Sequence, residues 1–354
     1  MLNVRQKTKV LIVDDSAVVR KVLSNELSQY DDFEIVGTAV DPYMARDKVV
    51  KLKPDVLTLD LEMPRMDGLS FLAKLMHYFP MPVVVLSSLT PKNSETALKA
   101  LDLGAVEVLC KPGSAYSTRD ISRKLARAIR LAAKANVRQS PPRSPSEAPG
   151  PPLDTSRLLK TTTQKIVAIG ASTGGTKAIE SLLRQFPAGF PGTVICQHMP
   201  EKFTTSFAQR LNSICQMEVR EAKDGDHVSP GRVLIAPGNQ HMLLQRQGGN
   251  YRVRVKGGPR VCYQRPSVDV LFQSVAAHAR GNAVGAILTG MGNDGAQGLL
   301  AMRKEGAHTI AQDEASSVVF GMPKEAIEAG AALEVAPLEQ VPRRIINALN
   351  QGSS

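Results

Sequence analysis

The sequence predicts an α/β protein of two domains, each built on a mostly parallel sheet. Three observations carry this. Short β-rich runs alternate with stretches whose apolar residues recur every three or four positions, the pattern of βα units. A proline-rich segment separates two such series. Polar residues able to do chemistry fall at the ends of the apolar runs, the edge where open α/β sheets bind ligands.

In the first series the candidate strands are "KVLIV", "FEIVGTA", "DVLTLD", "PVVVLSS" and "VEVLCK". Between them, "VVRKVLSNEL" and "ISRKLARAIRLA" have helical spacing. The composition changes at Ala135–Thr163, where six prolines fall between Pro141 and Pro152 among Ser, Arg and Gly. Such a stretch buries too little to fold and is stiffened by proline. The predicted organisation is therefore a domain over 1–134, a linker over 135–162 and a second domain over 163–354.

The totals narrow the function classes. With 354 residues the chain can bury two cores. Aromatics make up 4% and Trp is absent, which argues against stacking platforms for bases or sugars. The first apolar run, Val10 to Val13, stops at two aspartates, and no run reaches a membrane-spanning length. The expectation is a cytoplasmic protein with no membrane insertion. Cys110, Cys196, Cys215 and Cys262 form no C-x-x-C pair, so neither a disulfide framework nor a zinc site is expected. Cys196 and His198 do form a C-x-H, a weak metal signal. The net charge of +11 is spread over both halves, with one local concentration. Arg246, Arg252, Arg254, Lys256, Arg260 and Arg265 occur in 246–265 without a carboxylate. That stretch reads either as a solvated hairpin or as a docking face for an acidic partner.

In the first domain Asp14 and Asp15 end the first strand, Asp60 the third, Ser87 and Ser88 the fourth, and Lys111 the fifth. Three carboxylates converging on one cleft need a cation, and a hard oxygen set suits Mg²⁺. A lysine opposite them can meet a phosphoryl oxygen, and Ser87 can donate a hydrogen bond to another.

In "LIVDDS", "LTLDLEMPRMDG", "VVVLSS" and "CKPG" this segment resembles the two-component receiver family, a flavodoxin-like fold with a five-stranded parallel sheet. The resemblance implies phosphorylation of Asp60 by a histidine kinase and a Mg²⁺ site at Asp14, Asp15 and Asp60. It also implies a phosphoryl contact from Lys111 and a switch hydroxyl at Ser87, with Ser88 adjoining.

The second series opens with "IVAIGASTGG". A dinucleotide loop is disfavoured: G-x-G-x-x-G is absent, and the next strand, "TVICQH", ends in Gln197 and His198 without an acidic residue. No Walker-type loop is present. Two readings of Ser172 remain, a helix cap and a nucleophile on the tight turn of G-x-S-x-G. A nucleophilic serine needs an imidazole base and a carboxylate to orient it. His198 ends a strand at the edge that holds Ser172, whereas His241 is expected in the loop after "RVLIAPG"; the residues favour His198 without excluding His241. Asp294, in "TGMGNDG" beyond a buried run from Ala283 to Leu288, is the candidate acid. The order Ser…His…Asp differs from that of α/β-hydrolases.

"IVAIGASTGGT", "VICQHMP", "VLIAPGNQHM", "RPSVDVLFQS", "AILTGMGNDGAQGLLAM" and "DEASSVVFGMPKEAI" resemble the catalytic domain of chemotaxis protein-glutamate methylesterases. That family also joins a receiver to this domain. The resemblance implies a doubly wound α/β catalytic domain, with Ser172 as nucleophile, His198 as general base and acid, and Asp294 as orienter. The backbone at Met291 and Thr173 becomes the oxyanion contributor. It implies demethylation of glutamate methyl esters on chemoreceptor cytoplasmic helices, deamidation of glutamines there, a chemotaxis histidine kinase as phosphodonor, and no cofactor for the ester step. The two-domain layout further suggests that the unphosphorylated receiver covers the Ser172 cleft. A receiver-controlled DNA-binding protein is the rival class, but the second half shows no helix-turn-helix signal and no concentrated basic face.

Overall fold

The computed structural model describes residues 7–63, 67–87, 91–111, 118–135 and 165–351. The chain divides into two compact units, residues 1–142 and 143–354, and each is described by itself. The division falls in the proline-rich segment, nearly all of which lies outside the described residues.

The first unit holds β1 (Thr8–Val13), α1 (Ala17–Leu27), β2 (Phe33–Ala39), α2 (Pro42–Leu52) and β3 (Val56–Asp60). It continues through α3 (Gly68–Tyr78), β4 (Val83–Ser87), α4 (Pro91–Leu103), β5 (Glu107–Cys110) and α5 (Thr118–Ala132). The strands form one parallel sheet in the order β2-β1-β3-β4-β5. Val10 to Val13 and all of β3 and β4 are buried, because helices cover both faces of such a sheet. That is why these strands read as continuous apolar runs. Asp41 and Asp67 each accept the N–H three residues on, at 2.8 and 2.7 Å, and so start α2 and α3.

The second unit begins with β6 (Ile166–Ala171), α6 (Gly175–Leu183), β7 (Gly192–Gln197), α7 (Phe203–Ile214), β8 (Glu218–Glu221) and β9 (His227–Val228). Next come β10 (Arg232–Ile235), β11 (His241–Gln247), β12 (Asn250–Lys256), α8 (Val268–Ala279) and β13 (Ala283–Ile287). It ends with α9 (Ala296–Lys304), β14 (His308–Gln312), α10 (Met322–Glu328), β15 (Glu334–Ala336) and α11 (Val341–Gln351). Seven strands make a parallel sheet in the order β15-β14-β13-β6-β7-β10-β8. The strands β11, β12 and β9 form a small antiparallel sheet, so the basic stretch is partly a hairpin.

Chain order reverses between β6, which leads to β7 on one side, and β13, which leads to β14 on the other. The carboxyl ends of these two strands therefore flank a crevice. Helix α8 packs tightly above them. A Cβ on Gly170 would lie 2.3 Å from Val268 Cγ1, and one on Gly298 would lie 2.6 Å from Phe272 Cβ. Phe272 is fully buried, which stabilises the fold by about 1.5–3 kcal/mol. This close approach aims the N-terminus of α8 into the crevice. No helix among the described residues is long and apolar enough to cross a membrane.

Candidate active site and receiver site

Ser172 follows directly on β6. Helix α6 is capped by Gly174, in the left-handed conformation at φ 78°, with no side-chain cap hydrogen bond. The hydroxyl of Ser172 is therefore not spent as a cap. Its backbone is fixed: Ser172 N–H donates to Thr289 O at 3.0 Å, and its carbonyl accepts from Gly175 N–H at 2.7 Å and from Gln197 Nε2 at 2.8 Å. Gly290 lies against it, and a Cβ there would stand 2.7 Å from Ser172 Cβ.

Ala171 pairs with Gln197 across β6 and β7, so Ser172 and His198 are the next residues beyond adjacent strand ends. His198 N–H donates to Ala171 O at 3.0 Å. Its side chain is only 5% exposed, and Nε2 lies 2.7 Å from Asp294 Oδ2. Nδ1 is buried without a partner. With the proton on Nε2 shared with Asp294, Nδ1 carries the lone pair and is the basic nitrogen. No hydrogen bond joins it to Ser172 Oγ in this resting arrangement.

Asp294 lies between β13 and α9, and α8 holds it. Oδ2 also accepts from Val268 N–H at 2.8 Å, while Oδ1 accepts from Ser267 Oγ at 2.7 Å and Asp269 N–H at 3.0 Å. Ser267 is the N-cap of α8, so the carboxylate sits on a helix N-terminus, where negative charge is favoured. Burial works to raise its pKa. The bond to His198, that residue's charge, the Asp269 N–H and the Ser267 hydroxyl outweigh burial and hold the carboxyl below its usual range. Its neighbour Asp269 moves the other way, upward, through burial and then the charge of Asp294, against the bond from Gly298 N–H.

The backbone at Met291 is half-exposed at the same edge, and its N–H makes no hydrogen bond among the described residues. Thr173 is buried, and its carbonyl accepts from Thr289 Oγ1 at 3.0 Å. His241 is not in a loop. It begins β11, is buried, and its Nε2 lies 2.9 Å from Pro259 O, with Nδ1 accepting from Ser267 N–H at 3.3 Å. It thus supports Ser267 and is not the imidazole on Asp294. Cys196 is wholly buried in the apolar core, and burial raises its thiol well above the usual value. Among the described residues it belongs to no group of side chains placed to hold a metal ion.

Four participants escaped sequence reasoning. Ser267 and Gln197 hold Asp294 and Ser172 directly. Thr289 bonds Thr173 O and accepts Val319 N–H at 3.0 Å, and its own N–H donates to Gln312 Oε1 at 2.8 Å. Only Ser267 had a sequence signal, as a cap before the helical run "VDVLFQSVAAHA".

In the first unit Asp14 follows β1 and Asp60 closes β3, both fully buried, while Asp15 is exposed. One oxygen from each of the three lies within 4.8 Å of the others. Lys111 Nζ reaches Asp60 Oδ2 at 2.6 Å and Asp14 Oδ2 at 3.2 Å. Burial pushes the Asp60 carboxyl up, against the opposing bonds from Lys111 and Glu62 N–H. Burial alone would lower Lys111, but the bond to and charge of Asp60, then Asp14, turn the net shift upward. Ser87 Oγ is buried without a partner, and Lys111 N–H donates to Ser87 O at 2.8 Å. Ser88 lies outside the described residues. Two buried carboxylates, an exposed third and an orphan hydroxyl form an oxygen-rich set that fits a hard divalent cation beside a phosphoryl group. In the second unit Cys262, Asp269 and Asp294 also approach within 4.8 Å, but Asp294 is already committed to four hydrogen bonds.

Fold and site together define a class: a hydrolytic α/β domain coupled to a response-regulator receiver. The receiver-domain model matches residues 10–121, and the CheB methylesterase model matches residues 167–345. A protein-glutamate methylesterase/protein-glutamine glutaminase of Syntrophus aciditrophicus is 54% identical over 340 residues, covering 96% of this chain and 98% of the relative. One from Salmonella typhimurium is 51% identical over 351 residues, covering 98% and 99%. The crystal structure of the Thermotoga maritima CheB methylesterase catalytic domain is 40% identical, with a TM-score of 0.51, and covers 52% of this chain and 99% of that one. The chain belongs to the CheB methylesterase family and carries both a receiver and a catalytic domain.

Proposed function

We propose that this protein is a phosphorylation-activated serine hydrolase that demethylates glutamate methyl esters and deamidates glutamines on chemoreceptor cytoplasmic helices. The observation that carries the reading is His198, whose Nε2 is held by a helix-capped Asp294 while its Nδ1 stays unpartnered at the strand edge of Ser172.

Ser172 Oγ attacks the γ-carbonyl carbon as His198 Nδ1 takes its proton. Negative charge then gathers on the carbonyl oxygen, where the N–H groups of Met291 and Thr173 act; a donor of this kind is worth about 10²–10³ in rate. The imidazolium returns its proton to the leaving oxygen, methanol departs, and an acyl-serine remains. Water, deprotonated by His198, releases glutamate. With glutamine the leaving group is ammonia.

Asp60 accepts the phosphoryl group from a chemotaxis histidine kinase in the cytoplasm. Mg²⁺ would be held by Asp14, Asp15 and Asp60 and would offset charge on the phosphoryl oxygens. Lys111 contacts the phosphoryl group, and Ser87 Oγ donates to it as the switch.

The test is methanol release from methylated receptor fragments, with and without Mg²⁺ and a small phosphodonor. Release should rise with phosphodonor, vanish in Ser172→Ala and lose its stimulation in Asp60→Asn. Undiminished release by Ser172→Ala would overturn the nucleophile assignment.

A further inference from the structure

The hairpin of β11 and β12 carries a row of cations that the ester chemistry leaves unused. Its register sets His241 opposite Lys256, Leu243 opposite Arg254 and Gln245 opposite Arg252, and β9 places His227 opposite Arg252. Residues directly opposite in an antiparallel ladder share a face, as do alternate residues of one strand. Arg252, Arg254 and Lys256 therefore line the outer side of β12, while Tyr251 and Val253 are buried on the other. Arg246, from the same basic run, pairs with Tyr251 and has its guanidinium 5.9 Å from that ring. Among the described residues no carboxylate forms an ion pair with the three outer cations.

This row starts beside the active site. Lys256 is opposite His241, whose Nδ1 accepts from Ser267 N–H, and Ser267 Oγ bonds Asp294. From there the row runs outward with about 6.8 Å between successive cations.

We propose that the outer face of β12 docks the acidic face of the substrate helix that presents the esterified glutamate. The inference rests on the methylesterase reading above. Each turnover converts a neutral ester or amide to a carboxylate, so a helix modified at several sites becomes increasingly anionic. Residues four apart on a helix rise about 6 Å, close to the spacing of the cations. Arg252, Arg254 and Lys256 can thus meet successive carboxylates while the ester reaches Ser172. Exposed charges of this kind set register and encounter rate, so they act on substrate binding.

The experiment uses full-length Ser172→Ala protein, which binds without turnover, and a methylated receptor cytoplasmic fragment titrated by calorimetry at low and moderate salt. Adding Arg252→Glu with Arg254→Glu should weaken binding about tenfold at low salt and flatten its salt dependence. Lys304→Glu with Arg343→Glu makes the same charge change elsewhere on the domain and should shift affinity less than about twofold. Arg252→Gln with Arg254→Gln should give an intermediate loss, and it serves if charge reversal disturbs folding. Equal loss in the control pair, or none in either Arg252/Arg254 pair, overturns the docking face. Methanol release by the wild-type protein from the same fragment is measured alongside. Its absence overturns the methylesterase reading itself, and the docking proposal with it.

Discussion

His198 Nε2 lies 2.7 Å from Asp294 Oδ2, and the first turn of α8 and its cap give that carboxylate three further hydrogen bonds. The imidazole is thus oriented by a helix terminus and not by a single flexible side chain. In Asp294→Asn the amide NH₂ would face donors on whichever side it turned. Turned towards His198 it removes the acceptor that selects the tautomer, and turned away it leaves a neutral carbonyl in place of the carboxylate that stabilises the imidazolium. Methanol release should fall by about 10³–10⁴, with a stability loss of about 1–3 kcal/mol from stranded donors. A variant that keeps more than about a tenth of the wild-type rate would remove Asp294 from the orienting role.

The same carboxylate gives the catalytic domain an acid-sensitive component of stability. Burial raises the Asp294 pKa, but His198 and the donors of α8 outweigh it, so the folded value lies below the unfolded one, about 3.9. The unfolded chain then binds more protons than the folded one between the two values. The stabilisation is complete above the unfolded pKa and is lost as pH falls through the folded pKa. Urea unfolding of wild type and Asp294→Asn should therefore give stabilities that differ most near neutrality and converge in acid. A gap that stays constant down to acid would contradict the depressed pKa.

Gly290 lies close against the backbone of Ser172. A Cβ there would stand 2.4 Å from Met322 Sδ, 2.7 Å from Ser172 Cβ and 3.0 Å from Ser172 N. The methionine can move aside, but Ser172 can yield only by leaving its hydrogen bond to Thr289 O. Gly290→Ala should cost about 1–3 kcal/mol and lower the rate of methanol release about tenfold or more through displacement of Ser172. Rates and thermal unfolding measured together check this. Lost stability with an unchanged rate would show that Met322 absorbs the strain instead.

Much of this arrangement was legible in the sequence, because in a buried parallel sheet strand ends and chemistry coincide. Ser172, His198, Asp14, Asp60 and Lys111 all stand at or just past the end of an apolar run. Asp294 lies seven residues beyond β13, and its glycine-rich surroundings marked it. What could not be read was which distant segments meet. Ser267 is 27 residues from Asp294 in the chain, and its cap pattern says that a helix starts there, not where the helix points. That direction comes from α8 packing on Gly170 and Gly298. In the sequence Gln197 reads only as a non-acidic strand end, and nothing there shows that its amide donates to Ser172 O. His241 lies in a strand and not in the expected loop: Pro237-Gly238 reads as the opening of a loop, but the connection spans only 236–240 and His241 starts the next strand.

Lys111 Nζ bridges Asp60 and Asp14, at 2.6 and 3.2 Å. A divalent cation entering there competes with the ammonium for the same oxygens. Lys111→Ala should therefore bind Mg²⁺ more tightly, roughly threefold or more, as read by calorimetric titration. It should also lose the rise in methanol release expected of wild type with phosphodonor, because the proposed phosphoryl contact would be gone. Unchanged or weaker Mg²⁺ binding would mean that Lys111 does not hold the resting carboxylates.

The segment between β12 and α8 contains a turn whose residues oppose its shape. Val261 and Gln264 exchange backbone hydrogen bonds of 3.1 and 2.8 Å, and between them Cys262 and Tyr263 have φ of 49° and 64°. A two-residue hairpin with both central residues left-handed favours Asn-Gly, and each non-glycine residue there costs about 1–2 kcal/mol. Little offsets that cost: Tyr263 is 83% exposed, and the Cys262 thiol lies 3.8 Å from Asp269 Oδ2. Cys262→Asn with Tyr263→Gly should stabilise the catalytic domain by about 1–2 kcal/mol, a rise of roughly 2–8 °C in its thermal midpoint. Calorimetry of the full-length protein would detect that shift. An unchanged or lower midpoint would mean that contacts of the turn with the rest of the domain outweigh the left-handed cost. A gain in stability would instead point to a function for the native pair, since strain of this kind is kept where a site makes use of it.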